Sequence, residues 1–344
     1  MRVRSTGLDV VQHRLLICGV ALFAFTTSAT TAQPTWRDSS PHSVQLITVD
    51  TDVRLEVLDW GGAGRPLLLL AGLGNTAHIY DDFAPKLTDS YHVYAVTRRG
   101  FGASSVPQSG YDADRLADDV LAVIDALRLL RPVVAGHSIA GEELSSLGAR
   151  YSDRVGALIY FDAAYDRTDA RLRKLTTMQA PQALPSAADR ASYQSLSAFI
   201  TRTMGVTFPE SELHNTSTPT TDGSVGPPNL PGVVIAAILG GVKKPDYARI
   251  RAPALAVYAT WGSASDLPGY NGDTETSRKL FEEIFALASG SQTSSIESFQ
   301  EIAQSRVVRL PRAHHYVFLS SEADVLREVR AFVAGTPIIQ HAGE

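Results

Sequence analysis

Gly136-His137-Ser138-Ile139-Ala140-Gly141 is the stretch of this 344-residue chain whose residue types and spacing could do covalent chemistry. It follows the apolar run Pro132-Val133-Val134-Ala135 and precedes a helix-compatible segment beginning Glu142-Glu143-Leu144. A serine with small residues two before and two after it, between a strand and a helix, is the nucleophile-elbow pattern. The bend is so tight that larger side chains would collide with the neighbouring strand or helix. It lifts the serine hydroxyl clear of the sheet and aims the next N–H at the same point. A serine hydroxyl is a poor nucleophile at neutral pH, so a base must take its proton as it attacks. Histidine suits that task because it titrates near working pH. A carboxylate must then hold the second ring nitrogen and stabilise the imidazolium.

Elements able to position such groups are spaced regularly. Val44 to Val49 and Val53 to Trp60 alternate as an antiparallel strand pair would. Leu67 to Leu70 is wholly apolar, as a strand buried on both faces should be. His92 to Val96, Val133 to Ala135, Ala157 to Phe161, Leu255 to Tyr258 and Val307 to Leu310 are the further strand candidates. Between them, Leu116, Val120, Val123, Ile124 and Leu127 recur at helical spacing, as do Val325, Leu326, Val329, Phe332 and Val333. Strands alternating with helices predict an α/β fold: a mainly parallel sheet with helices on both faces. The rhythm breaks between about Ala164 and Arg251, where helix-like pieces flank an irregular stretch, Asn215 to Gly232. A long insertion between two sheet strands predicts a cap. Its Phe199, Met204, Phe208 and Val233 to Leu239 suggest an apolar pocket.

From about Val44 to Ala334 the chain resembles an α/β-hydrolase-fold enzyme of the serine-nucleophile type with a cap. Leu68-Leu69-Leu70-Ala71-Gly72-Leu73-Gly74 resembles that family's strand and oxyanion loop, and Thr97-Arg98-Arg99-Gly100-Phe101-Gly102-Ala103-Ser104 its Asp-x-Arg-Gly-x-Gly-x-Ser stretch. The elbow, the insertion, an acidic loop and a late histidine follow in the family's order. The resemblance implies an eight-stranded-type sheet with a mostly helical cap: core 44–163 and 252–335, cap 164–251, tail 336–344. It implies Ser138 as nucleophile and, in Ala313-His314-His315-Tyr316, His315 as base with His314 as the alternative. The acid is expected at Asp266, in the loop after the strand Leu255 to Tyr258, with Asp162 as its competitor. Backbone amides of Leu73 and Ile139 match the oxyanion positions, Gly72, His78 and Trp261 are pocket candidates, and His137 is expected to be a packed elbow residue. Two departures stand out: Ala71-Gly72 replaces a frequent His-Gly, and Thr97 replaces the motif's Asp. Both touch loop support rather than reacting atoms.

The implied activity is cleavage of a carboxylic ester or related acyl bond through an acyl-enzyme, without cofactor or metal. Peptidase, lactonase and carbon–carbon bond hydrolase chemistry would use the same constellation, and a non-catalytic ligand-binding relative is the alternative of another class. No Gly-x-Gly-x-x-Gly follows the first strand, and no spaced His/Asp set has metal-site spacing. A net charge of −5 without basic runs gives no attraction to nucleic acid; the expected partner is a small apolar acyl or ester compound. Arg2, Arg4 and Arg14, the apolar run Leu15 to Phe25 and the small residues ending Thr30-Thr31-Ala32 read as a secretory signal over 1–32, followed by a linker over 33–43. That run is too short for an ordinary membrane span. Cys18, the only cysteine, lies inside it. Export to a bacterial periplasm or exterior follows, with no stable membrane insertion once the signal is removed.

Overall fold

The computed structural model describes residues 36–178, 183–267 and 269–336. The expected signal over 1–32 and tail residues 337–344 lie outside these. Strands β1 (Ser43–Asp50) and β2 (Val53–Gly61) form the antiparallel pair, in register from Ser43 opposite Asp59 to Asp50 opposite Val53. Then come β3 (Arg65–Leu70), β4 (Tyr91–Val96), β5 (Val133–His137) and β6 (Ala157–Phe161). A hairpin of β7 (Ser217–Pro219) and β8 (Val225–Pro228) precedes β9 (Ala254–Thr260) and β10 (Ser305–Pro311). Eight strands make one sheet in the order β1-β2-β4-β3-β5-β6-β9-β10, parallel from β4 onward.

β5 and β6 are buried along their whole length, which is why their sequences are continuous apolar runs rather than alternations. One face of the sheet is covered by α1 (Ala113–Ala126), α2 (Ala140–Tyr151) and the end of α7 (Glu275–Phe299), through Val120, Ile124, Leu144, Leu147 and Phe299. The other face is covered by the turns over Ala77–Leu87, by α8 (Val317–Ser320) and by α9 (Glu322–Ala334), through Ile79, Phe83, Phe318, Val325 and Val329. Each such side chain removed from water contributes about 1.5–3 kcal/mol before its entropy cost. α1 begins where Asp112 accepts the N–H groups of Asp114 and Arg115, satisfying two of the four orphan donors of a helix start. Among the described residues no helix is long and apolar enough to cross a membrane.

Between β6 and β9 lie α3 (Ala170–Thr177), α4 (Tyr193–Met204), α5 (Glu210–Thr216), the hairpin and α6 (Gly232–Gly240). The stretch expected to be irregular thus carries the hairpin, and Phe199 packs with Leu196 and Val225 beside it rather than in a pocket.

α5 is held to the core by buried polar groups. Glu212 accepts from Asn75 Nδ2 (2.8 Å), Thr76 N (3.1 Å) and Thr76 Oγ1 (2.5 Å), while Ser211 donates to Asp81. Asn75 Oδ1 in turn accepts from Tyr316 Oη at 3.0 Å, so the tie runs to the neighbour of His315. Burial outweighs these bonds and pushes the Glu212 carboxyl up to about 7. A carboxyl raised on folding contributes stability in full below the unfolded value near 4.5 and loses it as pH climbs through the folded value. Relative to Glu212→Gln, wild type is therefore expected to lose on the order of 3 kcal/mol between pH 4.5 and 7 and little beyond. Urea unfolding of both proteins across pH 4–8 measures this; a difference that is flat or rises with pH contradicts it.

Candidate active site

The sheet order makes β5 and β6 neighbours, so the two chain bends that leave their ends lie side by side. Ser138 leaves β5 at φ +55°, in the left-handed region that an L-residue adopts only when its surroundings impose it. A Cβ on Gly136 would come within 2.8 Å of the Ala140 Cβ, so the small residues on either side of Ser138 are a steric requirement. Asp162 leaves β6 at φ +46°, also left-handed, with its N–H bonded to the Val257 carbonyl at 2.7 Å.

The loop after β10 lays His315 across these two ends. Ser138 Oγ donates to His315 Nε2 at 2.8 Å, and His315 Nδ1 donates to Asp162 Oδ2 at 2.7 Å. The other carboxylate oxygen of Asp162 accepts from Tyr165 Oη at 2.7 Å and from Ala259 N at 3.2 Å. Gln292 of α7 fixes Tyr165 in turn, donating to its Oη at 3.0 Å and to the Ala259 carbonyl at 2.8 Å. Asp162 is 2% exposed, whereas the His315 side chain is 41% exposed. The acid end is sealed and the imidazole faces the opening.

His314 and His137 flank this line without joining it. His314 Nδ1 accepts from Tyr316 N, and burial together with the His315 ring pushes it down to about 4. His137 is fully buried against Tyr316 and Phe318, and its Nε2 donates to the His315 carbonyl at 3.1 Å. Burial, then the His315 ring, hold it well below the usual imidazole range, so it stays neutral and supports the His315 backbone.

Leu73 and Ile139 pack in one apolar cluster with Phe101, Val234 and Ile238, which puts the loop after β3 and the residue after Ser138 under α6. A cavity of about 730 Å³ opens onto Ser138, Asp162 and His315, a size suited to a small organic ligand. Its aliphatic walls come from α3 and α6, including Leu172, Leu175 and Leu239, and Trp261 adds an aromatic one.

The sequence profile of the alpha/beta hydrolase family matches residues 67–329, more than half of the chain. The chain belongs to the alpha/beta hydrolase family. This alpha/beta hydrolase is 29% identical over 110 residues to a 2-(acetamidomethylene)succinate hydrolase of Mesorhizobium japonicum, a match covering 32% of the chain and 40% of that protein. It is 36% identical over 115 residues to epoxide hydrolase A of Mycobacterium tuberculosis, covering 32% and 36%. The matched stretches thus span less than half the length of these curated relatives. A crystal structure of E-2-(acetamidomethylene)succinate hydrolase superposes with a TM-score of 0.64 at 20% identity, covering 86% of this chain and all of that one, a likeness of fold.

Three sequence expectations for the alpha/beta hydrolase need correction. Asp266 does not meet His315: it is half-buried and turns back on its own loop, accepting from Gly262 N at 3.0 Å. Asp162, the competitor, occupies the place beside the imidazole. His78 does not line the cavity. It is buried against Asp81 Oδ2 at 3.0 Å and Glu56 Oε1 at 3.7 Å, and these carboxylates override burial to push it up to about 10. Gly72 lies behind the oxyanion loop, where Arg98 holds its carbonyl (3.2 Å) and that of Ala71 (2.8 Å), rather than in the cavity wall. Trp261 does line it.

Loop support was missed in the sequence. Arg98 Nε donates to Glu143 at 2.5 Å and so ties the oxyanion loop to the start of α2. Thr97, where the family pattern has Asp, donates to Glu56 at 2.6 Å and accepts from Ala77 N at 2.8 Å. The carboxylate absent at 97 is supplied from β2. Tyr165 and Gln292 were also missed; a tyrosine three residues after Asp162 was the available signal.

Proposed function

We propose that this alpha/beta hydrolase is an exported serine hydrolase that cleaves a carboxylic ester or related acyl bond of a small molecule through an acyl-enzyme. The single observation that carries the reading is the unbroken line Ser138 Oγ, His315, Asp162 at 2.8 and 2.7 Å. The Ser138 oxygen attacks the carbonyl carbon as His315 Nε2 takes its proton, and the Nδ1–H stays bonded to Asp162, which stabilises the imidazolium. The carbonyl oxygen becomes an oxyanion received by the Ile139 and Leu73 amides. His315 returns the proton to the leaving alcohol. It then takes one from water, whose oxygen attacks the acyl carbon, and passes that proton to the departing Ser138 oxygen. The relatives' printed names, hydrolases of an amide-bearing succinate and of epoxides, show how far substrates diverge within one family. The ester reading therefore rests on the serine nucleophile and a cavity with apolar walls. Export rests on the basic, apolar and small-residue pattern over 1–32.

A fluorophosphonate probe is expected to add once per chain, with peptide mass spectrometry locating it on Ser138. A panel of p-nitrophenyl esters of rising acyl length should be hydrolysed alongside. The intact mass of the labelled protein from outside the cytoplasm should correspond to a chain beginning at Gln33. No adduct on Ser138 sinks the catalytic reading in favour of a ligand-binding relative, and protein confined to the cytoplasm with residues 1–32 intact sinks export.

A further inference from the structure

The cavity over Ser138 is not uniformly apolar: two guanidinium groups, Arg167 and Arg173, stand in its wall. Arg167 follows Asp162 by five residues, on the segment leading into α3, and its side chain is 14% exposed. Its protein contacts are poor for so sheltered a group. Nη1 reaches the Ala163 carbonyl at 3.4 Å and Glu142 Oε1 at 3.5 Å, both beyond the 2.7–3.2 Å of a good N–H···O bond. Among the described residues its Nε and Nη2 hydrogens meet no acceptor. Those two donors form the side of the guanidinium fork that matches a carboxylate in bidentate fashion.

The two carboxylates closest to hand are largely committed elsewhere, and the only ion pair Arg167 makes with them is the long one to Glu142 Oε1 at 3.5 Å. Glu142 Oε2 accepts from Lys243 N at 2.9 Å, and burial pushes that carboxyl upward, which weakens it as a counter-ion. Asp162 spends both oxygens on His315, Tyr165 and Ala259. A mostly buried cation that lines a ligand-sized space, with only Nη1 bonded to protein among the described residues, calls for an anionic ligand group.

We propose that Arg167 is the anchor of an anion subsite within the catalytic cavity and that the substrate is an acyl compound bearing a second, free carboxylate. Arg173 adds positive charge to the same wall, and the aliphatic side chains that line the cavity take the chain joining the two functional groups. This rests on the serine-hydrolase reading above and narrows its substrate class. Arg167 acts here by positioning substrate and takes no part in the covalent steps.

The test uses the full-length protein and matched esters. In one pair the carboxylate is on the acyl side (p-nitrophenyl hydrogen glutarate against its methyl ester). In the other it is on the alcohol side (4-acetoxybenzoate against methyl 4-acetoxybenzoate). In at least one pair the charged member should have the larger kcat/KM, by about tenfold, mostly through KM. Arg167→Gln should collapse that ratio to about one, and Arg167→Lys, which keeps the charge but not the fork, should restore part of it. Because the ratio is taken within each protein, a variant with less folded material still reports. Glutarate binding by calorimetry, present in wild type and lost in Arg167→Gln, reads the subsite without turnover. If neither charged ester is preferred, or Arg167→Gln lowers charged and neutral members in equal proportion, the subsite is overturned while ester hydrolysis stands. If no ester is cleaved yet glutarate binds through Arg167, the hydrolase reading fails and the subsite survives.

Discussion

Asp162→Asn is expected to lower kcat/KM for ester hydrolysis by about 10³–10⁴-fold, while Asp266→Asn stays within about threefold of wild type. The size of the first effect follows from hydrogen-bond direction. One Asp162 oxygen faces two donors, Tyr165 Oη and Ala259 N. An amide placed there must turn its oxygen to those donors and its NH₂ to His315 Nδ1. That nitrogen then has to accept, which moves the ring proton to Nε2, where the Ser138 proton should go. The geometry survives and the base is in the wrong tautomer. Asp266 bonds its own loop only, so its amide costs a turn contact at the surface. Steady-state kinetics with p-nitrophenyl esters, on proteins whose melting temperatures match, decides the matter. A severe loss in Asp266→Asn with a mild one in Asp162→Asn would reverse the assignment.

Gly141→Ala should damage stability and catalysis together. A Cβ on Gly141 would sit 1.9 Å from the Ala163 carbonyl oxygen, and that atom is backbone. Relief requires the first turn of α2 or the chain after Asp162 to move. Ser138 lies three residues before Gly141 and Asp162 one before Ala163, so any such movement parts the nucleophile from the acid. The expected loss is about 3 kcal/mol or more of stability, at the upper end for overpacking, and about 10²-fold in kcat for the fraction that stays folded. Gly232→Ala, at the start of α6 with open space around its Cβ, is the control and should shift stability by no more than about 1 kcal/mol. Chemical denaturation and single-turnover acylation measure both quantities. An unimpaired Gly141→Ala would mean that α2 does not press on the strand end as described.

Much of this arrangement is legible in the chain because the sheet is buried on both faces. Such strands need wholly apolar runs, and Leu67 to Leu70, Val133 to Ala135 and Ala157 to Phe161 announce themselves. The elbow is legible for a related reason: a bend with left-handed backbone beside a helix start leaves room only for small neighbours. α7 is not legible. Its second half reads Ser289-Gly290-Ser291-Gln292-Thr293-Ser294-Ser295, poor helix formers without an apolar stripe, held in a 25-residue helix by tertiary contacts that include Arg171 to Ser294 and Gln292 to Tyr165. The carboxylate that meets His315 was expected at Asp266 because loop position stood in for geometry. Asp266 lies one residue further from its glycine than the family pattern, and that extra residue lets the loop curl so that the carboxylate caps Gly262. Arg167 was hidden for a different reason: one arginine among several charged residues looks like solvated surface until the fold closes a cavity around it.

With the proposed acid at the end of β6, the turn after β9 has no chemical duty in the proposed reaction. Trp261 sits in that turn and faces the ligand space, so variation there would retune which molecules are accepted while leaving bond cleavage intact. The converse burden falls on the chain from Asp162 onward, where the proposed acid, its tyrosine partner and the candidate anion anchor fall within six consecutive positions. A repositioning of that short segment would alter recognition and reactivity together.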